Sequence, residues 1–137
     1  MDYWVVKINN TGNIEWQNTI GGNHYDYLYS LIQTSDSGYL LGGRSNSGFS
    51  GDKTEVNLGG WDYWVVKLTN TGTIEWQNTI GGNGDDNLYS VTEDATGNYL
   101  LGGTSTSNLS GDKTENSLGL SDYWADRFLV HMATLSS

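Results

Sequence analysis

The stretch DYWVVKINNTGNIEWQNTIGGN at residues 2–23 decides the fold, because it returns as DYWVVKLTNTGTIEWQNTIGGN at residues 62–83. The triplet DYW opens a third time at Asp122. Residues 2–61 and 62–121 align without a gap, and 38 of the 60 positions are identical. Such a repeat is one supersecondary unit used more than once, and each unit must bury its apolar face against a neighbour.

Each repeat reads as four strands separated by glycine-containing turns. Apolar and polar residues alternate within these segments, β-branched and aromatic residues fill them, and no segment has a helical period. The predicted strands of the first copy are 2–8, 14–20, 28–33 and 39–43. The sequence therefore predicts an all-β chain, built from four-stranded antiparallel sheets in a 60-residue tandem repeat.

Two tryptophans recur on the first two strands of each repeat. Alternation puts Trp4 on the same face as Val6 and Ile8. Large aromatic side chains at repeated strand positions are typical of a packed interior. We expect the four tryptophans to occupy repeated core positions between sheets: Trp4, Trp16, Trp64 and Trp76.

The pattern resembles the bacterial β-propeller repeat proteins of the SBBP type. Their blades read approximately W-x-x-x-x-GG-x-G-x-D, then D-x-x-G-N-x-Y, a loop, and D-x-W/F-V-x-K-L. The first copy departs from this pattern at His24 and Gly38. The second copy supplies the matching residues Trp76, Gly81, Gly82, Gly84, Asp86, Asp94, Gly97, Asn98 and Tyr99, with Asp62, Trp64, Val65, Lys67 and Leu68 before them.

That resemblance implies propeller blades and a strand order within each blade. LYS would be in the innermost strand, followed by YLLGG, then the DYWVVK of the next copy, and IEWQNTI as the outer strand. The chain would then begin in the middle of a blade and contain about two blades' worth of strands. Because a propeller ring needs several more blades, we expect a homo-oligomer closed by strand complementation, with six blades from three copies or eight from four. The resemblance also implies an extracellular or cell-surface location in a bacterium, although the strand that follows Met1 leaves no room for a signal peptide.

The repeat region covers residues 1–124 and is followed by a non-repeat tail at 125–137. In that tail Asp126 replaces a residue that we expect to face the core, which would cost several kcal/mol if it were buried unpaired. We therefore expect the tail to be displaced in the oligomer or to form a cap over an open sheet edge at 128–132.

Charge and composition exclude several classes of function. The net charge is −10, which disfavours nucleic acid and anionic membranes, and no apolar run is long enough for membrane insertion. Cysteine is absent, so there is no thiol nucleophile or thiolate metal site. The segment GGNGDDNL at 81–88 matches a calcium-binding nonapeptide, but such repeats bind calcium in tandem. We expect Asp26 and Asp86 to accept backbone N–H bonds in a turn and no cofactor to be bound, with calcium as the alternative.

Topology predicts where a ligand would bind. In an up-and-down blade, the two longer loops at 21–26 and 44–61 emerge at the same end. Aromatic residues beside carboxylates favour a sugar or peptide ligand. The candidate ligand-binding residues are Tyr25, Asp26, Phe49, Asp52, Trp61, Asp85, Asp86 and Asp112.

Three function classes follow. The first is a non-enzymatic propeller module with a binding or scaffold role that completes its ring by self-association. The second is an extracellular lectin-like or adhesin-like fragment that binds a glycan or protein. The third is a fragment of a propeller-type glycoside hydrolase or dehydrogenase. Near-identical repeats offer the same few groups over again, whereas a catalytic site needs distinct ones, so we expect no catalytic residues.

Overall fold

The computed structural model of the chain describes residues 1–119 and 121–128. Nine β-strands form within these residues and no helix does, so the all-β prediction is confirmed. The strands are β1 (Tyr3–Ile8), β2 (Ile14–Ile20), β3 (Asp26–Gln33), β4 (Tyr39–Ser45), β5 (Asp62–Leu68), β6 (Ile74–Ile80), β7 (Asp86–Glu93), β8 (Tyr99–Ser105) and β9 (Asp122–Phe128).

The strands form three antiparallel sheets. The first sheet is β1-β2, the second is β3-β4-β5-β6, and the third is β7-β8-β9. The second sheet has the four strands and the order that we predicted for one unit. Strand β9 pairs with β8 in the register that β5 uses on β4, since Ser105 faces Asp122 just as Ser45 faces Asp62. In the single chain, β9 therefore holds in the third sheet the place that β5 holds in the second.

Strand β9 continues through Phe128, so its second half lies in the segment that we expected to be tail. The structure thus places the third DYW strand inside its own chain. Whether an oligomer displaces it stays a prediction. Our expectations for a cap at 128–132 and for the Asp126 side chain lie outside the described residues.

Tight turns join the paired strands, and they require left-handed backbone conformations. Gly12 and Gly72 have φ values of 88° and 85° between the first two strands of each repeat. The third and fourth strands are joined at Ser37 in the first copy, with φ of 70°, and at Gly97 in the second, with φ of 84°. An L-residue in this conformation places its Cβ close to a carbonyl oxygen, so Ser37 is strained where Gly97 is not.

One hydrophobic core lies between the first and second sheets. The rings of Tyr3 on β1 and Trp64 on β5 are 4.9 Å apart. Burying large apolar side chains between two sheets is the main source of stability for such a packing. The buried members of this core are Tyr3, Val5, Ile20, Leu41, Trp64, Val66 and Leu68.

A second core repeats the arrangement between the second and third sheets. Here Tyr63 on β5 packs against Trp124 on β9, again with 4.9 Å between the rings. Strand β5 is consequently buried on both faces along its whole length. The buried members of the second core are Leu40, Tyr63, Val65, Ile80, Leu88, Val91, Tyr99 and Leu101.

The core prediction was wrong for Trp4. Its side chain is 64% exposed, whereas its counterpart Trp64 is 0% exposed. The first sheet has a neighbour only on the face that carries Tyr3, and Trp4 points the other way. Trp16 and Trp76 are partly buried at the margins of the two cores.

Candidate functional site

The two longer loops of each repeat meet at one end of the sheets. The backbone N–H of Tyr25 donates to Oδ1 of Asn46 at 2.8 Å, and that of His24 donates to Oγ of Ser47 at 2.9 Å. The N–H of Asp52 donates to the carbonyl of Gly21 at 2.8 Å. These bonds hold residues 21–25 against residues 46–52, as the topological argument predicted.

Asp26 and Asp86 lie at the centre of these loops and are fully buried. The Asp26 carboxylate accepts from the hydroxyls of Ser45 at 2.5 Å and Ser47 at 3.0 Å, and from the N–H of Gly22 at 2.9 Å. Asp86 repeats this set one copy later. Both residues therefore accept the backbone N–H bonds that we predicted. Together with the serine hydroxyls, these bonds stabilise the loop around each buried carboxylate.

Asp52 and Asp112 also contribute to loop structure. Each accepts the N–H of a glycine, Gly21 or Gly81, at 3.1 Å. Phe49 is an exposed residue of the longer loop. The carboxylates of four of the eight predicted site residues thus accept hydrogen bonds within the loops.

The other three predicted residues lie at a cluster of aromatic rings formed by β3 and the residues just before β3 and β5. Tyr25 stacks on Tyr27 at 6.4 Å between ring centroids, and Tyr27 stacks on Tyr29 at 6.3 Å. Trp61 lies 5.5 Å from Tyr27. The N–H of Trp61 donates to Oδ1 of Asp85 at 3.1 Å, which ties the cluster to the start of the third sheet.

Arg44 of β4 lies within this cluster. Its Cζ is 4.3 Å from the centroid of Trp61, 5.1 Å from that of Tyr27 and 5.9 Å from that of Tyr29. These distances are those of cation–π contacts. Its Nη1 donates to Oδ1 of Asn87 at 2.9 Å, while its Nε is buried without a hydrogen-bond partner. We call Arg44 and its aromatic neighbours the Arg44 cluster: Tyr25, Tyr27, Tyr29, Arg44, Trp61 and Tyr89, the last 5.2 Å from Tyr29.

Most of the Arg44 cluster exists in only one copy of the repeat. The counterparts of Tyr25, Tyr27, Arg44 and Trp61 are, in the same order, Asp85, Asn87, Thr104 and Ser121. Our sequence reasoning selected Tyr25 and Trp61 but missed Tyr27, Tyr29, Tyr89 and Arg44. The signal that could have found Tyr27 and Arg44 is this set of differences, since four aromatic or cationic positions of the first copy are replaced in the second. Tyr29 and Tyr89 occupy the same position in both copies, so this comparison does not single them out.

Two buried charges lie near the same loops. Lys53 is almost fully buried and donates to the carbonyl of Ser47 at 2.6 Å, and burial lowers the pKa of its ammonium group. Burial also raises the pKa of Asp62 to about 6, against the opposing effect of the Leu58 N–H, which donates to Oδ2 at 2.7 Å. Oδ1 of Asp62 has no hydrogen-bond partner. Asp62 is thus an acid that the fold favours in its protonated form.

Among the described residues, no three acidic, histidine or cysteine side chains are arranged to hold a metal ion. The same residues form no helix that is long and apolar enough to cross a membrane. No protein-family model matches the chain, and no curated protein is similar enough to count as a relative. The arguments for function therefore come from the geometry.

Proposed function

We propose that this chain is a non-enzymatic β-propeller repeat module that assembles with copies of itself. In this proposal, strands β1 and β2 of one chain replace β9 of another and complete its β7-β8 sheet to four strands. The observation that carries it is the second sheet, where β4 accepts β5-β6 in the same way within one chain.

The sequences of the strands support this exchange. Strand β8 reads YLLGGTS and β4 reads YLLGGRS, while β1 and β5 share YWVVK and β2 and β6 are both IEWQNTI. Strand β9 adopts the β5 register but has no β6-like strand beside it among the described residues. An incoming β1-β2 pair would therefore supply the fourth strand that the third sheet lacks.

The exposed faces at the two ends of the stack have buried counterparts in the middle. Leu100 is 49% exposed, whereas its counterpart Leu40 is 0% exposed under the third sheet. A Cβ at Gly42 would lie 2.5 Å from Leu88, but a Cβ at Gly102 would meet nothing within 4 Å. Exposed apolar surface of this kind marks an interaction site.

Within the described part of the chain, the third sheet has no further sheet packed on its outer face, and a hollow of about 460 Å³ is open there. It lies over Gly102 and Gly103 and is bounded by Tyr89 and Tyr123. In the second sheet, the space over Gly42 is filled by Leu88 and Val91. The same positions in a second copy are Leu28 and Leu31, and Leu31 is exposed in the single chain.

Each chain would add two blades, so three copies would form a ring of six and four copies a ring of eight. Head-to-tail contacts of this type close into a ring when the rotation permits. In this proposal the loop carboxylates have a structural role, the module has no catalytic site, and it acts at the surface of a bacterium or outside the cell, as the family resemblance implies.

Two deletions test the assembly by native mass spectrometry and light scattering. Removing residues 1–20 should leave only monomer, because the completing strands are gone. Removing residues 122–137 should keep or strengthen the assembly, because it deletes the strand that competes for β8. Assembly that survives the first deletion, or a chain that stays monomeric at micromolar concentration before and after the second, would contradict the proposal.

A further inference from the structure

The Arg44 cluster has features of a ligand-binding site as well as of a packing contact. The residues Tyr25, Tyr29 and Tyr89 are 54%, 45% and 48% exposed although their rings contact one another or their neighbours. Neighbouring aromatic rings that stay open to solvent offer stacking surfaces, and their phenol groups offer hydrogen bonds.

Among the residues that the structure describes, Arg44 is a cation without a carboxylate among its hydrogen-bond partners. Lys7 is paired with Glu15, Lys67 is paired with Asp36 and Glu75, and the ammonium groups of Lys53 and Lys113 donate to loop carbonyls. The guanidinium of Arg44 bonds the neutral amide of Asn87, and Arg44 is partly exposed whereas Lys53 and Lys113 are buried. Within the described residues, it is therefore a cation whose charge no carboxylate balances.

The buried Nε of Arg44 adds a second, independent observation. A buried donor without a partner is rare in folded proteins, and each case calls for an explanation such as an absent ion or ligand. Guanidinium groups recognise carboxylates by paired N–H bonds, and a guanidinium held between aromatic rings is already oriented for this. The acceptor that suits this site is therefore a carboxylate.

We propose that the Arg44 cluster binds an acidic saccharide. The uronate carboxylate would accept from Arg44, the C–H face of the sugar ring would stack on Tyr29 or Tyr89, and the hydroxyls would bond the phenols and Asn87. This inference goes beyond self-assembly. The site is built from residues of one chain, so its binding can be measured on the monomer. Because Tyr89 also borders the hollow that a second copy would fill, the measurement is made in dilute solution.

The repeat provides substitutions that the fold already accepts at the same position. Arg44→Thr installs the residue found at Thr104, and Tyr25→Asp installs the residue found at Asp85. Val56→Asn installs the residue found at Asn116, changes an exposed position outside the cluster and serves as the matched control. Arg44→Lys keeps the positive charge but loses the paired N–H geometry.

The test uses the full chain and matched pairs of oligosaccharides, followed by calorimetry and tryptophan fluorescence. The probes are oligogalacturonate, alginate oligomers and glucuronate-containing oligosaccharides, each beside its methyl ester, in which the ring is unchanged and the charge is masked. We expect at least one acid to bind, and its ester to bind at least about tenfold more weakly, as for the loss of a charge-assisted bond.

In the variants, Arg44→Thr should abolish binding, Arg44→Lys and Tyr25→Asp should weaken it, and Val56→Asn should leave it unchanged. Circular dichroism and melting curves establish that each variant is folded, and the comparison of acid with ester needs no variant at all. The proposal is overturned if no acid binds at millimolar concentration, if acid and ester bind equally, or if folded Arg44→Thr binds like the parent chain.

Discussion

The hydroxyl of Tyr3 donates a hydrogen bond of 2.9 Å to the backbone carbonyl of Trp64, and the two rings lie 4.9 Å apart. One repeat later, the hydroxyl of Tyr63 donates to the carbonyl of Trp124 at 2.8 Å, with the same ring separation. The chain thus uses one contact twice, each time between the DYW strands of neighbouring sheets. At this position, the sequence identity between the copies gives the same contact in both.

Replacing this tyrosine by phenylalanine measures the polar part of the contact. Tyr3→Phe should destabilise the chain by about 0.5–1.5 kcal/mol, because it removes the buried hydrogen bond from the Tyr3 hydroxyl to the Trp64 carbonyl. Urea denaturation gives the free energy of unfolding. Tyr123→Phe is the control, since the Tyr123 side chain is exposed, and it should change the stability of the monomer by less than about 0.5 kcal/mol. Equal effects at Tyr3 and Tyr123 would show that the buried bond contributes nothing.

The two equivalent tryptophans should differ sharply on truncation. Trp64→Ala should cost about 3–5 kcal/mol, as other large-to-small substitutions in a core do. Trp4→Ala should cost less than about 1 kcal/mol in the single chain, because Trp4 is exposed there. Chemical denaturation in dilute solution measures both. A large loss at Trp4 under these conditions would mean that its face is covered even in the monomer.

The turn at Ser37 should become more stable with glycine. Ser37→Gly should raise the free energy of unfolding by up to about 1 kcal/mol, because a positive φ is strained for serine and is adopted freely by glycine. The reciprocal change Gly97→Ser should lower it by a similar amount. Thermal unfolding of the two variants checks the signs, and a destabilising Ser37→Gly would refute the strain argument.

Two carboxyl groups should respond to acid in opposite directions. The Thr34 hydroxyl first, and then Lys67, lower the pKa of Asp36 to about 2. Its stabilising contribution is therefore present above about pH 4, the usual range of a free aspartate, and is lost as the pH falls towards 2. Burial raises the pKa of Asp62 to about 6. Its contribution is fully present below about pH 4 and is lost as the pH rises through 6.

Unfolding free energies measured from pH 2 to pH 8 separate these two groups. Asp36→Asn should flatten the curve below pH 4, and Asp62→Asn should flatten it between about pH 4 and pH 6. The asparagine at 62 can still accept the Leu58 N–H, so the change removes mainly the charge. Identical pH profiles for the parent chain and Asp62→Asn would contradict the raised pKa.

Much of the fold could be predicted because the repeat shows its strands twice. Alternation and glycine turns predicted the strands, and the family resemblance implied the order β3-β4-β5-β6. What the sequence could not give is which face of an end strand has a neighbour. Trp4 and Trp64 lie in identical sequences and differ only in what is packed against them, so local pattern cannot distinguish them.

The site was harder to predict for a different reason. A register shift between Leu28 and Ser30 inserts Tyr29 as an extra residue in β3, opposite no partner on β4. Simple alternation does not allow for such a bulge. We included the loop carboxylates in the predicted site because acidic residues often bind ligands. Asp26 and Asp86 instead accept hydrogen bonds from backbone N–H groups and neighbouring serines. Only the structure brings Arg44 onto Tyr27 and Trp61.

The pairing of β9 with β8 has a kinetic consequence. A covered edge cannot recruit another chain until it opens, and local opening of a paired edge strand has its own free-energy cost. If the chains assemble by strand exchange, Asp122–Phe128 must detach from β8 before another chain can pair there. At high protein concentration the assembly rate would then reach a ceiling set by this unimolecular step. Strand β9 would thus delay assembly, so that each chain folds alone before it joins another.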